Sequence, residues 1–594
     1  MIQFLLLLPP LSAPFETPLS AGAPKAQGAQ ETQEAPVQAT AHLRAIPAEL
    51  TGLVAINDLG DLLAKGKENS WYLFMLDPQL AGLRGWFDDK WNALRQGADA
   101  SGLPSPSALA AAIRSASAFV LPVSKTPFGI FGIAIQADEG DSVVRQLFED
   151  SRTDMAAESE HSEESWNGIE VSVFDYTQAG KELRGPGTVV CFEHKGVFLF
   201  VFGEHEHASR DDVLTTARGC IDRLAEGGHG VLQNPRYLEA RGEASTEGQL
   251  EVFLDASVMT RFIPENRNHE PIVEALVESI SSIPWAHASA RLGAGEEIHA
   301  EVGFRCDPET LLGQILGLAR PAPQERLKLI PKDSVAISIA AFDVGSLVET
   351  LIEGAKRFGP VGTGEKIDNG RELVRSQFGV DPVDDILLLF SGEFAFFQRP
   401  PQGSANSPQG QMFSMMETII FGLEDGDALF DKIEEVLTIT GGEVWLENEV
   451  YEGVDVFSLP ASLNIPLSWI ITEDFLALSG RSEDIEHLIR ASQKPQPSVL
   501  DDPRLAAALG EAKSTSAFSV SDTAAVLKMT GGMFDVLATT SNVAAEAADF
   551  TELMELLGAQ GAMRPSLIDK YFRGLTYSSW TVRDGNVRLE TWGH

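Results

Sequence analysis

One stretch of the sequence occurs twice, and it decides the fold. Residues 234–259 read "NPRYLEARGEASTEGQLEVFLDASVM", and residues 502–527 read "DPRLAAALGEAKSTSAFSVSDTAAVL". Asn234 and Asp502 each precede a Pro-Arg pair, which is typical of a helix start, because the side chain accepts unpaired backbone N–H groups and proline fixes the first helical φ. The two stretches predict the same helix–strand–helix segment in each half of the chain.

Other matched segments follow in the same order in both halves. They are 131–150 with 418–437, 166–176 with 451–461, and 288–304 with 578–594. An ordered series of internal matches is the signature of a repeated structural unit, so we expect a tandem duplication. The sequence predicts a first repeat over 45–315, a linker over 316–328 that contains Pro321 and Pro323, and a second repeat over 329–594.

The strand pattern of each repeat predicts the α+β class. Each copy is expected to open with a strand, "WYLFML" at 71–76 or "VAISIAAF" at 335–342, followed by helices. Hairpins and a meander come next, with short turns such as Lys195-Gly196 between the strands. Because strands joined by short turns pair antiparallel, each copy is predicted to be a largely antiparallel sheet with packed helices.

The composition is that of a folded, strongly acidic protein. Of the 594 residues 44% are hydrophobic and 22% charged, and the formal net charge is −41. A polyanion repels nucleic-acid phosphates and anionic lipid surfaces. The sequence therefore predicts no nucleic-acid partner.

The first residues have the outline of an export signal. The apolar run at residues 4–8 is shorter than the roughly 20 residues that span a bilayer, and prolines and small residues follow it. We expect an export signal over 1–22, a disordered tether over 23–44 and an extracytoplasmic location, periplasmic or secreted. The alternatives are a mispredicted start of the sequence and an unstructured tail. No later run reaches transmembrane length, so no transmembrane span is predicted.

The stretch "GPVGTGEK" at 359–366 approximates a phosphate-binding loop but is predicted to be a turn. Gly359 and Gly364 have the required spacing, but Glu365 stands at the lysine position and Lys366 at the hydroxyl position. The preceding residues have a helical pattern, whereas the motif needs a strand. Because no dinucleotide, EF-hand or nucleophile-elbow motif occurs elsewhere, we predict no cofactor and no catalytic residue.

His205 and His207 are the candidate metal ligands, within "GEHEHASRDD" at 203–212. In an extended segment residues i and i+2 point the same way, so the two imidazoles can share a zinc or copper ion. Two ligands do not complete a zinc site, and the sequence identifies no third. The alternative interpretation is an exposed polar loop in which Ser209 caps the next helix.

The three cysteines, Cys191, Cys220 and Cys306, are too few for a disulfide framework and lack metal-type spacing. One disulfide stays open as an alternative, but the interpretation as buried thiols is favoured.

Several acidic residues receive structural interpretations. Asp141 and Asp427 precede helical patterns at matching places in the two copies and are interpreted as helix caps. The segment "ESEHSEES" at 158–165 is interpreted as a solvated acidic loop.

The opening of the second copy, "LIPKDSVAISIAAFD" at 329–343, the duplicated halves and the exported acidic body resemble uncharacterised extracytoplasmic proteins of bacteria. Their family is classed only as a domain of unknown function. The resemblance spans residues 45–594 as a pattern; it implies location and architecture, and it supplies no catalytic residues. The sequence favours a non-enzymatic extracytoplasmic binding or interaction protein whose partner is an unknown protein or small molecule. The alternative is an extracytoplasmic hydrolase, metal-dependent through His205 and His207, with a site between the repeats.

Overall fold

The computed structural model describes most of the chain as two compact units. The described residues are 41–75, 77–78, 111–123, 126–176, 186–204, 206–243, 248–260, 277–279, 281–400, 418–442, 446–460, 466–505, 515–529 and 565–593. The first unit comprises residues 1–263 and 285–294, and the second comprises 264–284 and 295–594. Both combine helices with antiparallel strands, which confirms the predicted α+β class.

The strands of the first unit form one antiparallel arrangement in the order β9-β8-β1-β2-β3-β7-β6-β5-β4. These strands are β1 Gly52–Ile56, β2 Ile113–Val123, β3 Thr126–Ala137, β4 Glu160–Trp166, β5 Ile169–Asp175, β6 Pro186–His194, β7 Val197–Glu204, β8 Leu250–Leu254 and β9 Ala286–Leu292. The helices are α1 Ala41–Ala45, α2 Leu59–Glu68, α3 Ser70–Met75, α4 Ser142–Glu158, α5 Arg210–Glu226, α6 Pro235–Glu243 and α7 Ala256–Thr260, with a 3₁₀ turn at Gly230–Gln233.

The second unit contains β10 Ile298–Arg305, β11 Ala319–Arg320, β12 Ala336–Phe342, β13 Phe390–Gln398, β14 Thr418–Leu423, β15 Glu447–Tyr451, β16 Val454–Ser458, β17 Ser468–Ile471, β18 Phe475–Ser479, β19 Ala517–Asp522, β20 Leu575–Arg583 and β21 Asn586–Gly593. Its helices are α8 Leu311–Gly317, α9 Val344–Phe358, α10 Thr363–Phe378, α11 Gly426–Thr440, α12 Ser482–Gln493 and α13 Pro565–Tyr571. Short 3₁₀ and π segments lie at Gln324–Leu329, Pro382–Ile386, Leu387–Leu389 and Val499–Asp501. Its strands are also antiparallel and follow the order β10-β21-β20-β19-β12-β13-β14-β18-β17-β16-β15, with β11 pairing the end of β12.

Nine strands of the second unit, from β20 to β15, follow the order of the nine strands of the first unit. The third strand of each series, β1 or β12, comes early in its unit. It pairs with a strand of a later hairpin on one side and with a late strand on the other. The β4–β5 turn, Asn167-Gly168, and the β15–β16 turn, Glu452-Gly453, both have positive φ at both residues. That geometry is the type I′ hairpin turn, which favours glycine, asparagine or aspartate because most other side chains are strained at positive φ.

Each unit buries its own apolar face. In the first unit Leu53 of β1, Phe119 of β2 and Val201 of β7 face the helices α1, α5 and α6 and are almost fully buried. In the second unit Ile337 and Phe397 occupy the equivalent face, within a core that also contains Leu488 of α12. Each such side chain stabilises the fold by about 1.5–3 kcal/mol through its removal from water.

The strand predicted at 71–76 is wrong, because residues 70–75 form helix α3. Phe74 is buried, whereas Trp71 is 39% exposed, so burial does not alternate as it does in a half-buried strand. The side chain of Asn69 accepts the backbone N–H of Trp71 and supports the helix start. The first strand of this unit is instead β1, at "GLVAI".

The acidic loop predicted at 158–165 is also wrong in its conformation. Residues from Glu160 onward form the strand β4, which pairs with β5, although most of its side chains are exposed as expected. Glu163 in this strand accepts hydrogen bonds from Arg152 and Ser172. These contacts compensate the negative charge and allow an acidic segment to extend the sheet.

One of the two predicted acidic caps is correct. Asp141 accepts the backbone N–H groups of Val143 and Val144 at the start of α4. In the second unit the cap is Asp425, which accepts the N–H of Ala428, whereas Asp427 lies inside the first turn of α11. The helix begins two residues earlier than the sequence pattern predicts.

The chain boundaries given by the sequence are only partly covered by the described residues. The predicted signal at 1–22 lies outside them, and so does the predicted tether up to residue 40; α1 begins at Ala41. Residues 316–328 contribute the end of α8, the strand β11 and part of a 3₁₀ turn. Within the described residues no helix is long and apolar enough to cross a membrane.

Candidate functional site

The candidate metal segment follows β7. His205 lies outside the described residues, and His207 lies in the turn before α5. The hydroxyl of Ser209 accepts the N–H of Asp212 at 3.2 Å, and the carboxylate of Asp212 accepts the N–H of Ser209 at 3.0 Å, which is a capping box. Ser209 is therefore a helix cap, as the alternative interpretation predicted. The part of the chain that the structure describes contains no group of three metal-binding side chains, and the His205–His207 site stays a prediction.

All three cysteines are free and buried, which confirms the favoured interpretation. Burial raises the pKa of Cys191 to about 12 and that of Cys220 to about 11. A thiol with such a pKa carries almost no thiolate at neutral pH and is not an activated nucleophile.

A serine–histidine pair in the first unit was missed by the sequence motifs. The hydroxyl of Ser115 lies 2.9 Å from Nδ1 of His42, and the Gln136 side chain accepts from the same hydroxyl at 3.3 Å. Ser115 is 1% exposed and His42 is fully buried, so no substrate reaches them. Burial lowers the pKa of His42 to about 4. The pair is part of the core rather than a catalytic centre.

The stretch at 359–366 joins two helices, as the turn interpretation predicts for its first residues. Helix α9 ends at Phe358, with Gly359 at its C-terminal cap, and α10 begins at Thr363. Residues 364–366 are therefore helical rather than part of the turn. No strand precedes the stretch, so it lacks the strand–loop–helix geometry of a phosphate-binding loop.

The second unit contains a cleft of about 180 Å³ at one end of β12, β19 and β20. We call it the second-unit cleft. Its lining combines charged or polar side chains with aliphatic ones: Lys332, Asp333, Ser334, Val335, Ile337, Asp502, Arg504, Leu505, Val520, Asp522 and Leu575. A concave site with an apolar floor and a few converging polar groups is the usual form of a small-molecule site.

Two rows of the strand ladder form the floor of the second-unit cleft. In the inner row, Ile337 of β12 pairs with Val520 of β19. In the outer row, the N–H of Asp522 donates to the carbonyl of Val335 at 2.8 Å, and Asp522 also pairs with Leu575 of β20. The floor is therefore held by backbone hydrogen bonds, which makes its shape rigid.

Aromatic side chains occupy the same ladder positions in the first unit. Leu53 pairs with Phe253, as Ile337 pairs with Val520. The N–H of Asp255 donates to the carbonyl of Thr51 at 2.9 Å in the outer row, and continuing the β8–β9 register places Trp285 beside Asp255, where the second unit has Leu575. Both Phe253 and Trp285 are 1% exposed.

The helix above this floor shows the same difference. Tyr237 is the third residue of the helix that begins Pro235-Arg236, and Leu505 follows Pro503-Arg504 in the same way. The Tyr237 ring packs edge-on against Phe253, with centroids 5.3 Å apart. Three aromatic side chains of the first unit thus correspond to Leu505, Val520 and Leu575 in the second. The smaller side chains explain why the second unit has a cleft at this place.

Two rim positions of the second-unit cleft, Lys332 and Ser334, are polar where the first unit has apolar residues. Ser334 precedes Ile337 by three residues, as the fully buried Leu50 precedes Leu53. Lys332 likewise corresponds to Ala48. Ser334 is 9% exposed, and its hydroxyl is buried without a hydrogen-bond partner among the described residues. A buried hydroxyl without a partner costs stability and is typical of a site that awaits a ligand or water.

The charged groups of the cleft are partly neutralised by neighbours. Arg504 donates to both oxygens of Asp502, at 3.4 and 3.0 Å, and this guanidinium holds the pKa of Asp502 below its usual range. Both oxygens of Asp333 accept from Arg399, at 2.9 and 2.7 Å. One oxygen of Asp522 accepts the N–H of Ala525 at 2.8 Å.

The arginine has a different partner in the first unit. Arg236 donates from one nitrogen to both oxygens of Asp255, at 2.9 Å each, and so neutralises the carboxylate that corresponds to Asp522. Arg504 instead bonds to Asp502, which stands where the first unit has Asn234. This exchange leaves Asp522 without the direct arginine bond that Asp255 has.

Chemically, the second-unit cleft offers a cation at Lys332, a hydroxyl at Ser334, a carboxylate at Asp522 and an aliphatic floor. Within the described residues, its lining holds no paired nucleophile and base. Comparison with known proteins adds no name to this site: no family model, no curated protein and no solved structure matches the chain.

Proposed function

We propose that this protein is a non-enzymatic, extracytoplasmic binding protein and that it holds a small molecule in the second-unit cleft. One observation carries the proposal. A position filled by Tyr237, Phe253 and Trp285 in the first unit is lined by smaller aliphatic side chains in the second, beneath a rim of charged residues.

The residues that differ between the two units change toward polar side chains in the second, and this supports ligand binding rather than a loosely packed core. Loss of core volume alone destabilises a fold, and a core restores density with other apolar atoms. The second unit instead has Lys332 and Ser334 where the first has Ala48 and Leu50. Polar groups beside an apolar hollow are costly without a ligand and favourable with one.

We also propose that both units descend from one α+β module that was duplicated in tandem. The shared order of nine strands supports this history, as do the two type I′ turns at equivalent hairpins. On this account the first unit keeps a filled core and the second has become the binding unit. An extracytoplasmic location is part of the proposal and derives from the apolar run at residues 4–8 and the small residues after it.

The test uses a cavity-filling substitution. Purified wild-type protein and Val520→Phe are screened by thermal shift against a panel of amino acids, short carboxylic acids, amines and monosaccharides. The proposal predicts at least one compound that raises the Tm of the wild type but not that of Val520→Phe. Val450→Phe, at a 65% exposed position of β15, is the matched control and should retain the response.

Two outcomes would overturn the proposal. One is a panel in which no compound raises the Tm of the wild type. The other is turnover of generic esterase, peptidase or glycosidase substrates that Val520→Phe abolishes and Val450→Phe preserves, because the cleft would then be catalytic.

The metal-dependent hydrolase remains the second candidate from the sequence, and it depends on His205 and His207. Its test is elemental analysis of the purified protein beside a His205→Ala/His207→Ala variant. Stoichiometric zinc, copper or iron in the wild type that the double variant lacks would favour it. Equal metal content in both proteins removes this candidate.

A further inference from the structure

The groups around the second-unit cleft define a ligand class. Resting on the proposed function, we infer that the cleft takes a small zwitterionic α-amino acid with an aliphatic side chain. The inference follows from the size of the cleft, its floor and the signs of charge on its rim.

The size of the cleft limits the ligand. A volume of about 180 Å³ corresponds to about six water molecules at about 30 Å³ each. Sites for drug-sized molecules begin at about 300 Å³. The cleft therefore has room for a molecule of amino-acid size.

The floor selects an aliphatic side chain. Val335, Ile337, Leu505, Val520 and Leu575 are all aliphatic, and the last four are at most 6% exposed. The floor offers no hydrogen-bonding side chain, so a polar ligand side chain would lose its water contacts here.

One side of the rim suits a carboxylate. Lys332 and Ser334 belong to the same short segment before β12, and both line the cleft. The structure gives Lys332 no hydrogen bond or ion pair within the described residues, and the Ser334 hydroxyl is the unpartnered buried group noted above. The Lys332 ammonium can donate to a carboxylate of the ligand, and a charge-assisted hydrogen bond is stronger than a neutral one.

The other side of the rim suits an ammonium group. Asp522 ends β19, with one oxygen bonded to Ala525 and no direct bond from Arg504. Its carboxylate repels a simple carboxylic acid, and Lys332 repels a simple amine. A zwitterion satisfies both groups at once.

The first unit supplies an internal comparison. At the corresponding positions Leu50 replaces the hydroxyl, the aromatic side chains fill the floor, and Arg236 neutralises Asp255. We therefore expect one ligand for each chain rather than two.

The test compares L-leucine with two analogues by isothermal titration calorimetry of the full chain. The analogues are 4-methylpentanoate, which lacks the amine, and 3-methylbutylamine, which lacks the carboxylate. The inference predicts 1:1 binding of L-leucine and at least tenfold weaker binding of each analogue.

Two conservative variants assign the charged groups. Asp522→Asn keeps a residue that can cap the following helix, and it should reduce the preference for L-leucine over 4-methylpentanoate at least tenfold. Lys332→Gln should reduce the preference for L-leucine over 3-methylbutylamine in the same way. A merely structural role would weaken all three ligands equally, so the ratio of affinities is the informative quantity.

The outcomes separate this inference from the proposed function. If the analogues bind as tightly as L-leucine, or if other panel compounds bind in a manner sensitive to Val520→Phe while L-leucine does not, the amino-acid inference is wrong and the binding function stands. If no panel compound binds, both are overturned.

Discussion

Val520 occupies in the second unit the ladder position that Phe253 occupies in the first. Phe253 of β8 pairs with Leu53 of β1, and Val520 of β19 pairs with Ile337 of β12. The phenylalanine ring packs against Tyr237, whereas the valine borders an open cleft of about 180 Å³. One position in a shared strand order thus lies within a packed aromatic cluster in one unit and borders a cleft in the other.

This relationship predicts unequal costs for removing the two side chains. Phe253→Ala should lower the free energy of unfolding of the first unit by about 3–5 kcal/mol, because it leaves a cavity among fully buried rings. Val520→Ala should cost about 1–2 kcal/mol, which is the transfer term for two methyl groups, since the cleft is already open. Denaturant unfolding of both variants measures the difference, and equal costs would contradict the description of the cleft.

The buried His42 predicts a pH dependence of the first unit. Burial, reinforced by the charge of Arg241, lowers the folded-state pKa of His42 from 6.5 to about 4, and the hydrogen bond with Gln136 opposes the shift. Between these two pH values the unfolded chain binds the proton and the folded chain does not. Stability is therefore complete above about pH 6.5 and falls by about 3 kcal/mol as the pH drops toward 4.

His42→Gln should flatten this dependence, because glutamine does not titrate. Charged groups near this part of the core, the Arg241–Glu251 pair, remain in the variant. Unfolding midpoints at about pH 7 and about pH 4.5 measure the effect. An unchanged slope in His42→Gln would show that another group titrates.

The start of α11 predicts different effects for two neighbouring aspartates. Asp425→Ala removes the side chain that accepts the N–H of Ala428 and should cost about 1 kcal/mol. Asp427→Ala removes only a favourable charge near the helix N-terminus and should cost about 0.3 kcal/mol. Denaturant unfolding ranks the two variants, and the reverse ranking would place the cap where the sequence pattern put it.

A buried ion pair connects the end of β13 with α12. Asp484, whose side chain is 2% exposed, accepts from Arg399 at 2.9 Å and from Thr418 at 3.0 Å. Asp484→Ala leaves Arg399 without its buried partner and should cost about 3–5 kcal/mol. Asp333 binds the same arginine but is 53% exposed, so Asp333→Ala should cost less than about 1 kcal/mol. Similar losses in thermal and chemical unfolding for both variants would contradict this ranking.

The sequence predicted the class of the fold well, because its signals are local. Alternation and short turns determine antiparallel pairing, and the Asn234-Pro235 pattern marks a helix start that the structure confirms. The run at 71–76 was wrongly predicted to be a strand because aromatic residues are common in strands. In the structure it is helical, and Phe74 is the side chain that it buries. The acidic strand β4 was missed because Arg152, whose contact with Glu163 helps to compensate its negative charge, lies in the preceding helix α4, and a strand pattern does not show that contact.

The second-unit cleft could not be predicted from the repeat itself. An ungapped match of residues 234–259 with 502–527 places Phe253 beside Ser521. The strand pairing shows that the residue equivalent to Phe253 is instead Val520, one position away. A shift of one residue exchanges the two faces of a strand. The loss of three aromatic side chains at one place becomes visible only when strand pairing fixes the register.

The central claim, that the second unit is open where the first is filled, can be tested by the accessibility of two equivalent residues. Val335→Cys and Thr51→Cys are introduced separately, and the native thiols are buried, so a small methanethiosulfonate reagent reports on the new cysteine. We expect Val335→Cys, on the floor of the cleft, to react at least tenfold faster than Thr51→Cys, at the fully buried equivalent position, and Val520→Phe to slow the reaction of Val335→Cys. Equal protection of the two cysteines in the folded protein would contradict the account.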